Sequence, residues 1–195
     1  MLASLPSVIV MAQNVRDDWS RLKDRVDFDL RLDHSLEDAP LTPEERVQIY
    51  THIDGKSVHD SFRDDQREEE RRVVLSTRVG LIALAHNEAK QSLVRGPQQF
   101  CGGTGNCPLW IFIRQRGKAR LILDEEGTSL FAGSGSYRGF TDLVVPSHVS
   151  AAETWFGVFR WNNTEYKRID CYIATSDPFH SEKSAIIQDC PVPRR

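Results

Sequence analysis

Hydrophobic residues recur with a helical period after Asn14, which is suited to cap the helix that follows. The apolar positions of this stretch are Val15, Trp19, Leu22 and Val26. We predict an amphipathic helix here. Between residues 28 and 32, apolar and charged side chains alternate, which predicts either a short half-buried strand or an extension of the helix.

A second helix has sequence signals at both of its ends. Thr42, Pro43 and Glu45 form a capping box with proline at the first helical position, and Gly55 is suited to end the helix. The charged run 64–72 predicts a solvated loop or an exposed helix surface.

From residue 73 onward the pattern changes to short apolar runs bounded by polar or turn residues, which is typical of strands. Turn residues at 116–118 and 162–164 predict two hairpins. We expect Pro146 to end the strand that precedes it. The predicted strands cover residues 73–75, 79–85, 92–94, 109–113, 120–123, 140–145, 155–161 and 166–173.

The two predicted hairpins are similar to each other. Residues 110–114 align with residues 156–160 at an offset of 46, and residues 92–94 align with 142–144 at an offset of 50. Repetition of this kind is typical of sheet architectures, and two units are too few for a propeller. We therefore predict an α+β fold in which N-terminal helices pack on one antiparallel sheet made of two related strand-loop-hairpin units.

Charge divides the 195-residue chain into two regions. Residues 1–72 carry 11 Lys/Arg and 17 Asp/Glu, a net charge of −6, and residues 73–195 carry 14 and 11, a net charge of +3. This asymmetry is too weak to indicate binding of nucleic acid or of an anionic membrane. We predict a charged helical region at 13–72 and an antiparallel β domain at 73–195.

The segment 1–12 contains no charged side chain and ends in Val10-Met11-Ala12, which fits a signal-peptidase site. Because no basic residue precedes the apolar run, the segment is either a truncated signal peptide or an apolar tail. It is shorter than the roughly 20 apolar residues that a spanning helix needs, so we expect no integral membrane span.

Four cysteines allow three disulfide connectivities. Proximity favours pairing Cys101 with Cys107 and Cys171 with Cys190, which indicates an oxidising compartment. Neither spacing is typical of a zinc site, so we predict no bound metal.

Residues 100–112, together with 139–145 and the pair Cys171-Tyr172, resemble a group of uncharacterised exported bacterial proteins. Those proteins combine a Cys-Gly-x-x-Gly-Asn-Cys loop with an aromatic strand, and they are distantly similar to FG-GAP-type β repeats. The resemblance implies export to the periplasm or beyond the cell and an antiparallel sheet, and it implies no activity. Residues 75–80 of this chain contain no carboxylate, so we do not expect calcium binding of the FG-GAP kind.

No catalytic motif stands out along the chain. The six histidines are scattered, none of them in a metalloprotease spacing, and no serine lies in a nucleophile elbow. The cysteines are expected to form disulfides rather than to act as nucleophiles. We predict no catalytic residue and no cofactor.

The candidate binding residues lie in the disulfide loop and among the aromatic residues of the second hairpin. They are Gly103, Thr104, Asn106, Trp155 and Trp161, with the two tryptophans as candidate exposed anchors. We expect a non-enzymatic exported binding or inhibitor-like module whose partner is another envelope protein or a glycan. The alternatives are a hydrolase with unidentified catalytic residues and a structural envelope protein.

Overall fold

A computed structural model describes residues 27–55, 64–85, 90–175 and 186–189 of the chain. Within these ranges the chain forms two antiparallel sheets of five strands each. The first sheet has the order β1 (His34–Ser35), β2 (Arg78–Ile82), β3 (Gln91–Arg95), β4 (Cys107–Gln115), β5 (Lys118–Gly127). The second sheet has the order β10 (Ile186–Asp189), β9 (Tyr166–Thr175), β8 (Glu153–Trp161), β7 (Phe140–His148), β6 (Phe131–Tyr137).

Two α-helices accompany the sheets, α1 (Pro43–Asp54) and α2 (Asp64–Leu75). Short 3-10 helices cover Phe28–Arg31 and Gln98–Phe100. In the part of the chain that the structure describes, no helix is both long enough and apolar enough to span a membrane.

The expectation that both hairpin units share one sheet is wrong, because β4–β5 and β8–β9 lie in different sheets. The reason is that β4 is apolar on both faces: Leu109 and Ile111 belong to one buried cluster, and Trp110 and Phe112 belong to another. A sheet with two apolar faces needs a layer on each side. The second sheet covers one face of the first sheet, and helix α1 covers the other.

The main core lies between the two sheets. Backbone hydrogen bonds also join the layers, since Thr141 N donates to Leu84 O at 2.8 Å and Thr128 N donates to Pro146 O at 2.8 Å. The buried residues of this core are Phe28, Leu32, Ile82, Leu84, Leu93, Leu109, Ile111, Ile122, Leu123, Leu130, Phe140, Leu143, Val145, Phe159, Trp161 and Tyr166.

Helix α1 begins as predicted and packs on the outer face of the first sheet. Glu45 N donates to Thr42 Oγ1 at 3.2 Å, and Thr42 N donates to Glu45 Oε2 at 2.8 Å, so both hydrogen bonds of the capping box are present. The prediction of this helix is confirmed. The cluster between helix and sheet consists of Leu36, Ala39, Ile49, Ile53, Val74, Val79, Val94, Trp110 and Phe112.

Near the N-terminal end of the described chain, two predictions differ from the structure. Of the two alternatives predicted for residues 28–32, the strand is wrong, since Phe28–Arg31 is a 3-10 helix. Phe28 N donates to Leu130 O at 2.9 Å, and the Phe28 side chain enters the core. Residues 73–75 are the last turn of α2 rather than a strand, because Val74 packs beneath α1 with 1% of its surface exposed. The helix predicted after Asn14 lies outside the described residues.

In the second sheet the expectation that Pro146 ends its strand is wrong, since β7 continues to His148. Strand β6 pairs with β7 only as far as Val144, so the missing N–H of Pro146 leaves no gap in a ladder on that side. The sequence analysis also did not predict β6 or β10. Strand β6 contains two glycines and two serines among its seven residues, a composition that is typical of loops.

The two hairpins share one irregularity. The register of β4–β5 shifts between Ile111 and Phe112, and that of β8–β9 shifts between Val158 and Phe159. These shifts lie 47 residues apart, one more than the offset of the predicted alignment. The relation between the two units stays a prediction.

Candidate functional site

The predicted disulfide loop is present, with Cys101 bonded to Cys107. Within the loop, Gly102 N donates to Asn106 O at 2.7 Å and Gly105 N donates to Gly102 O at 2.8 Å. Gly105 has a φ of +81°, which strongly favours glycine at this position. The loop therefore has its own hydrogen-bonded turn in addition to the disulfide.

The side chain of Asn106 attaches this loop to the second sheet. Its Nδ2 donates to His148 O at 2.8 Å, and its Oδ1 accepts from His148 N at 2.8 Å, so the amide pairs with the backbone as a neighbouring strand would. Nδ2 also donates to Thr104 Oγ1 at 2.9 Å. The Asn106 side chain thus holds the loop against β7, while Gly103 and Thr104 remain exposed on the loop surface.

Trp155 lies at the same end of the molecule as the disulfide loop. In the β7–β8 ladder His148 pairs with Thr154 and Ser147 pairs with Trp155, so Trp155 lies opposite the residue that precedes His148, the residue that Asn106 binds. Its indole Nε1 donates to Glu153 Oε1 at 2.7 Å. The structure therefore brings Trp155 near the loop residues that the sequence analysis selected.

Trp161 lies elsewhere, in the core between the sheets. Only 7% of its surface is exposed, and its ring stacks on Phe140 with centroids 4.4 Å apart. The expectation that Trp161 is an exposed anchor is wrong, because the two ends of β8 differ: the Trp155 end meets the rim of the sandwich and the Trp161 end meets its interior.

A small cleft lies beside Trp155 between the end of β5 and the inner face of the second sheet. It is lined by Glu125, Glu126, Val145, Ser147, Trp155, Gly157, Phe159, Arg168 and Cys171. Cys171 is disulfide-bonded, and its predicted partner Cys190 lies outside the described residues. The Cys171–Cys190 pairing stays a prediction.

A larger groove of about 500 Å³ continues from this cleft, since Glu125 and Arg168 line both. It is lined by residues 121–125 of β5, by Glu165 and by residues 166–168 at the start of β9. We call the cleft and the groove together the inter-sheet groove.

The inter-sheet groove follows the edge of β5. Side chains alternate between the two faces of a strand, so five consecutive residues share one groove only where it runs along the strand's edge. In the described ranges, β5 pairs with β4 alone and is the last strand of its sheet. At its start this edge is partly occupied, because Ala119 N donates to Gln48 of α1. The part of the β5 edge that the groove follows therefore begins after Ala119.

An ion pair crosses the middle of the inter-sheet groove. Arg168 Nη2 donates to Glu125 Oε2 at 3.1 Å, and the Arg168 guanidinium lies over the Phe159 ring, 5.4 Å from its centroid. Burial raises the pKa of Glu125 above its usual value, the attraction of Arg168 opposes this shift, and the nearby Asp124 and Glu126 add to it. Burial has the larger effect, so the native fold disfavours the ionised form of Glu125.

The histidine at the end of β7 lies outside the inter-sheet groove. His148 is exposed, its Nδ1 lies 3.0 Å from Thr154 Oγ1, and it does not line the groove. Within the described ranges no group of three or more His, Cys, Asp or Glu side chains is placed to hold a metal ion.

The sequence analysis missed Glu125 and Arg168, the two residues that cross the groove. Both occur in strands where charged residues are frequent, in Asp124-Glu125-Glu126 and in Lys167-Arg168, so neither stands out from its neighbours. Both lie close to the register shift of their hairpin, where the regular alternation of a strand is interrupted. No signal in the sequence alone shows those shifts.

Comparisons with protein-family models, with curated proteins and with solved structures found no match to this chain. The candidate site is therefore judged on its own geometry and chemistry.

Proposed function

We propose that the protein is a non-enzymatic, exported binding module that takes an extended segment of a partner protein into the inter-sheet groove. The observation that carries this proposal is the groove itself, which runs along the edge of β5 and ends beside Trp155. A strand edge presents backbone N–H and C=O groups to a ligand, and these are matched by the backbone of an extended peptide. The Cys101–Cys107 disulfide supports an oxidising compartment, periplasmic or secreted.

The groove combines two further features that suit a peptide. Trp155 is half-buried with its indole N–H already bonded to Glu153, so its ring supplies a contact surface that needs little further ordering. Glu125 and Arg168 place one acidic and one basic side chain in the groove, and these groups can select side chains of the ligand.

The proposal predicts that peptides selected on the intact protein bind through Trp155. A random dodecapeptide library displayed on phage would be selected on the oxidised wild-type chain, and enriched peptides would be synthesised and titrated by calorimetry. We expect Trp155→Ala to weaken binding about tenfold or more, the usual effect of removing an aromatic anchor. Tyr137→Ala is the matched control, because Tyr137 is an exposed aromatic residue that does not line the groove.

Two outcomes would count against the proposal. One is the failure of any peptide to be enriched above the background of the empty support. The other is equal binding of the enriched peptides to Trp155→Ala, Tyr137→Ala and wild type.

A hydrolase is the second candidate, and one observation favours it. A carboxyl group whose pKa is raised by burial is suited to act as a general acid, and Glu125 lies in a groove that Glu165 also lines. Turnover of a panel of nitrophenyl glycosides and esters by wild type, with loss of turnover in Glu125→Gln, would support the hydrolase hypothesis. Absence of turnover by the wild-type chain would leave the binding module as the better proposal.

A further inference from the structure

The two sulfur atoms of the Cys101–Cys107 disulfide have different surroundings. Cys107 is 3% exposed, whereas Cys101 is half-buried. A thiol from solution therefore has better access to Cys101 than to Cys107.

A positive charge lies against the less accessible sulfur. Arg95 Nη2 is 3.6 Å from Cys107 Sγ, and the same guanidinium donates through Nη1 to Thr128 O at 2.9 Å, which fixes its position. A neighbouring arginine stabilises a thiolate relative to a thiol, and a more stable thiolate is a better leaving group in thiol–disulfide exchange.

The loop also has interactions that do not depend on the disulfide. The hydrogen bonds between Gly102 and Asn106, and the double hydrogen bond of the Asn106 amide to His148, involve no sulfur atom. These bonds would keep the two thiols of a reduced loop close together, so that the disulfide can form again.

We propose that Cys101–Cys107 is a site of reversible thiol–disulfide exchange, in which an external thiol attacks Cys101 and Cys107 leaves as a thiolate held by Arg95. In the first step the attacking thiolate bonds to Cys101 Sγ, the Cys101–Cys107 bond breaks, and Cys107 carries away the electron pair. In the second step another thiolate of the reductant attacks the mixed disulfide and releases the Cys101 thiolate. The protein disulfide is reduced by two electrons, and two thiols of the reductant are oxidised to a disulfide.

An experiment on the wild-type protein shows which of the two cysteines the external thiol attacks. The oxidised full-length chain would be treated with reduced glutathione, quenched with acid, labelled with N-ethylmaleimide and mapped by peptide mass spectrometry. We expect the glutathione adduct on Cys101 and the maleimide on Cys107. An adduct chiefly on Cys107, or equal amounts on both cysteines, would overturn the proposal.

The role of Arg95 is tested by Arg95→Gln, with Arg72→Gln as the control because Arg72 is on the exposed surface of α2. We expect the glutathione reaction to slow about threefold to tenfold in Arg95→Gln and to keep its wild-type rate in Arg72→Gln. Equal rates in all three proteins would overturn the assignment of Arg95.

A measurement on reduced wild type serves if Arg95→Gln does not fold. The rate of alkylation of Cys107 by iodoacetamide would be followed against pH. A midpoint below the usual thiol value of about 8.5 supports a thiolate stabilised by Arg95, and a midpoint at or above that value overturns it.

Discussion

Two Glu–Arg ion pairs involve residues of the first sheet, and the fold shifts the pKa values of their glutamates in opposite directions. Glu45 of α1 bonds Arg114 of β4 through two hydrogen bonds, Nε to Oε1 at 2.5 Å and Nη2 to Oε2 at 2.6 Å, and it also completes the capping box. Glu125 of β5 has a single hydrogen bond to Arg168, at 3.1 Å. The hydrogen bond from Arg114 lowers the pKa of Glu45 despite burial, whereas burial raises the pKa of Glu125 despite Arg168.

The difference shows what an ion pair needs in order to stabilise a fold. A buried carboxylate loses its hydration, and only several well-directed hydrogen bonds replace it. Glu45 has them, from Arg114 and from the Thr42 backbone. Glu125 has fewer, which is typical of a group retained for a function rather than for stability.

The largest expected effect comes from removing the well-bonded carboxylate. We expect Glu45→Ala to lower the free energy of unfolding by about 2–3 kcal/mol, because the variant loses half of the capping box and leaves Arg114 without its acceptor. Urea denaturation monitored by tryptophan fluorescence measures the change.

Glu44→Ala is the matched control for that variant. Glu44 lies in the same first turn of α1 but is exposed, so its removal should change the free energy of unfolding by less than about 0.5 kcal/mol. Similar losses in both variants would show that helix charge alone, and not the contact with Arg114, accounts for the effect.

The contrast between these two glutamates also shows how far sequence reasoning reaches. The capping box is a local pattern, so Thr42, Pro43 and Glu45 were sufficient to place the start of α1. The apolar runs are also local patterns, so they were sufficient to predict the strands of both hairpins. The number of sheets was not predictable in this way, because the pairing of β5 with β4 alone depends on contacts between distant parts of the chain.

The candidate site was predicted only in part. The disulfide loop and Trp155 carry distinctive residue types, and the structure brings them to one end of the sandwich. Trp161 has the same residue type as Trp155, yet it lies in the core, because residue type does not reveal which end of β8 meets the rim. Glu125 contacts Arg168 of β9, which lies 43 residues further along the chain. A local sequence pattern does not reveal a contact of this kind.

The pH dependence of stability should distinguish Glu45 from a neutral substitute. Because the pKa of Glu45 is lowered in the fold, its charge stabilises the protein above the unfolded-state pKa of about 4.3, and this contribution is lost as the pH falls through the folded-state pKa. Glu45→Gln keeps the capping box but not the charge. We expect wild type to exceed Glu45→Gln by about 1 kcal/mol at neutral pH and the two to converge in acid, measured by urea titrations at a series of pH values. A constant difference across the series would show that the charge of Glu45 is not responsible.

The smallest expected effect has the opposite sign and concerns the groove. The raised pKa of Glu125 means that the native fold favours its protonated form, so stability from this group is present at low pH and is lost as the pH rises through its folded-state pKa. Glu125→Gln removes that loss while keeping an acceptor for Arg168. We therefore expect this variant to be more stable than wild type by about 0.5 kcal/mol at neutral pH and no more stable in acid, where wild type is already protonated. Glu37→Gln, at an exposed glutamate that does not line the groove, should show neither change. A gain in stability that comes with weaker binding of selected peptides would mean that the groove keeps Glu125 charged for its ligand, whereas a loss of stability would place Glu125 with Glu45 among the residues that hold the fold together.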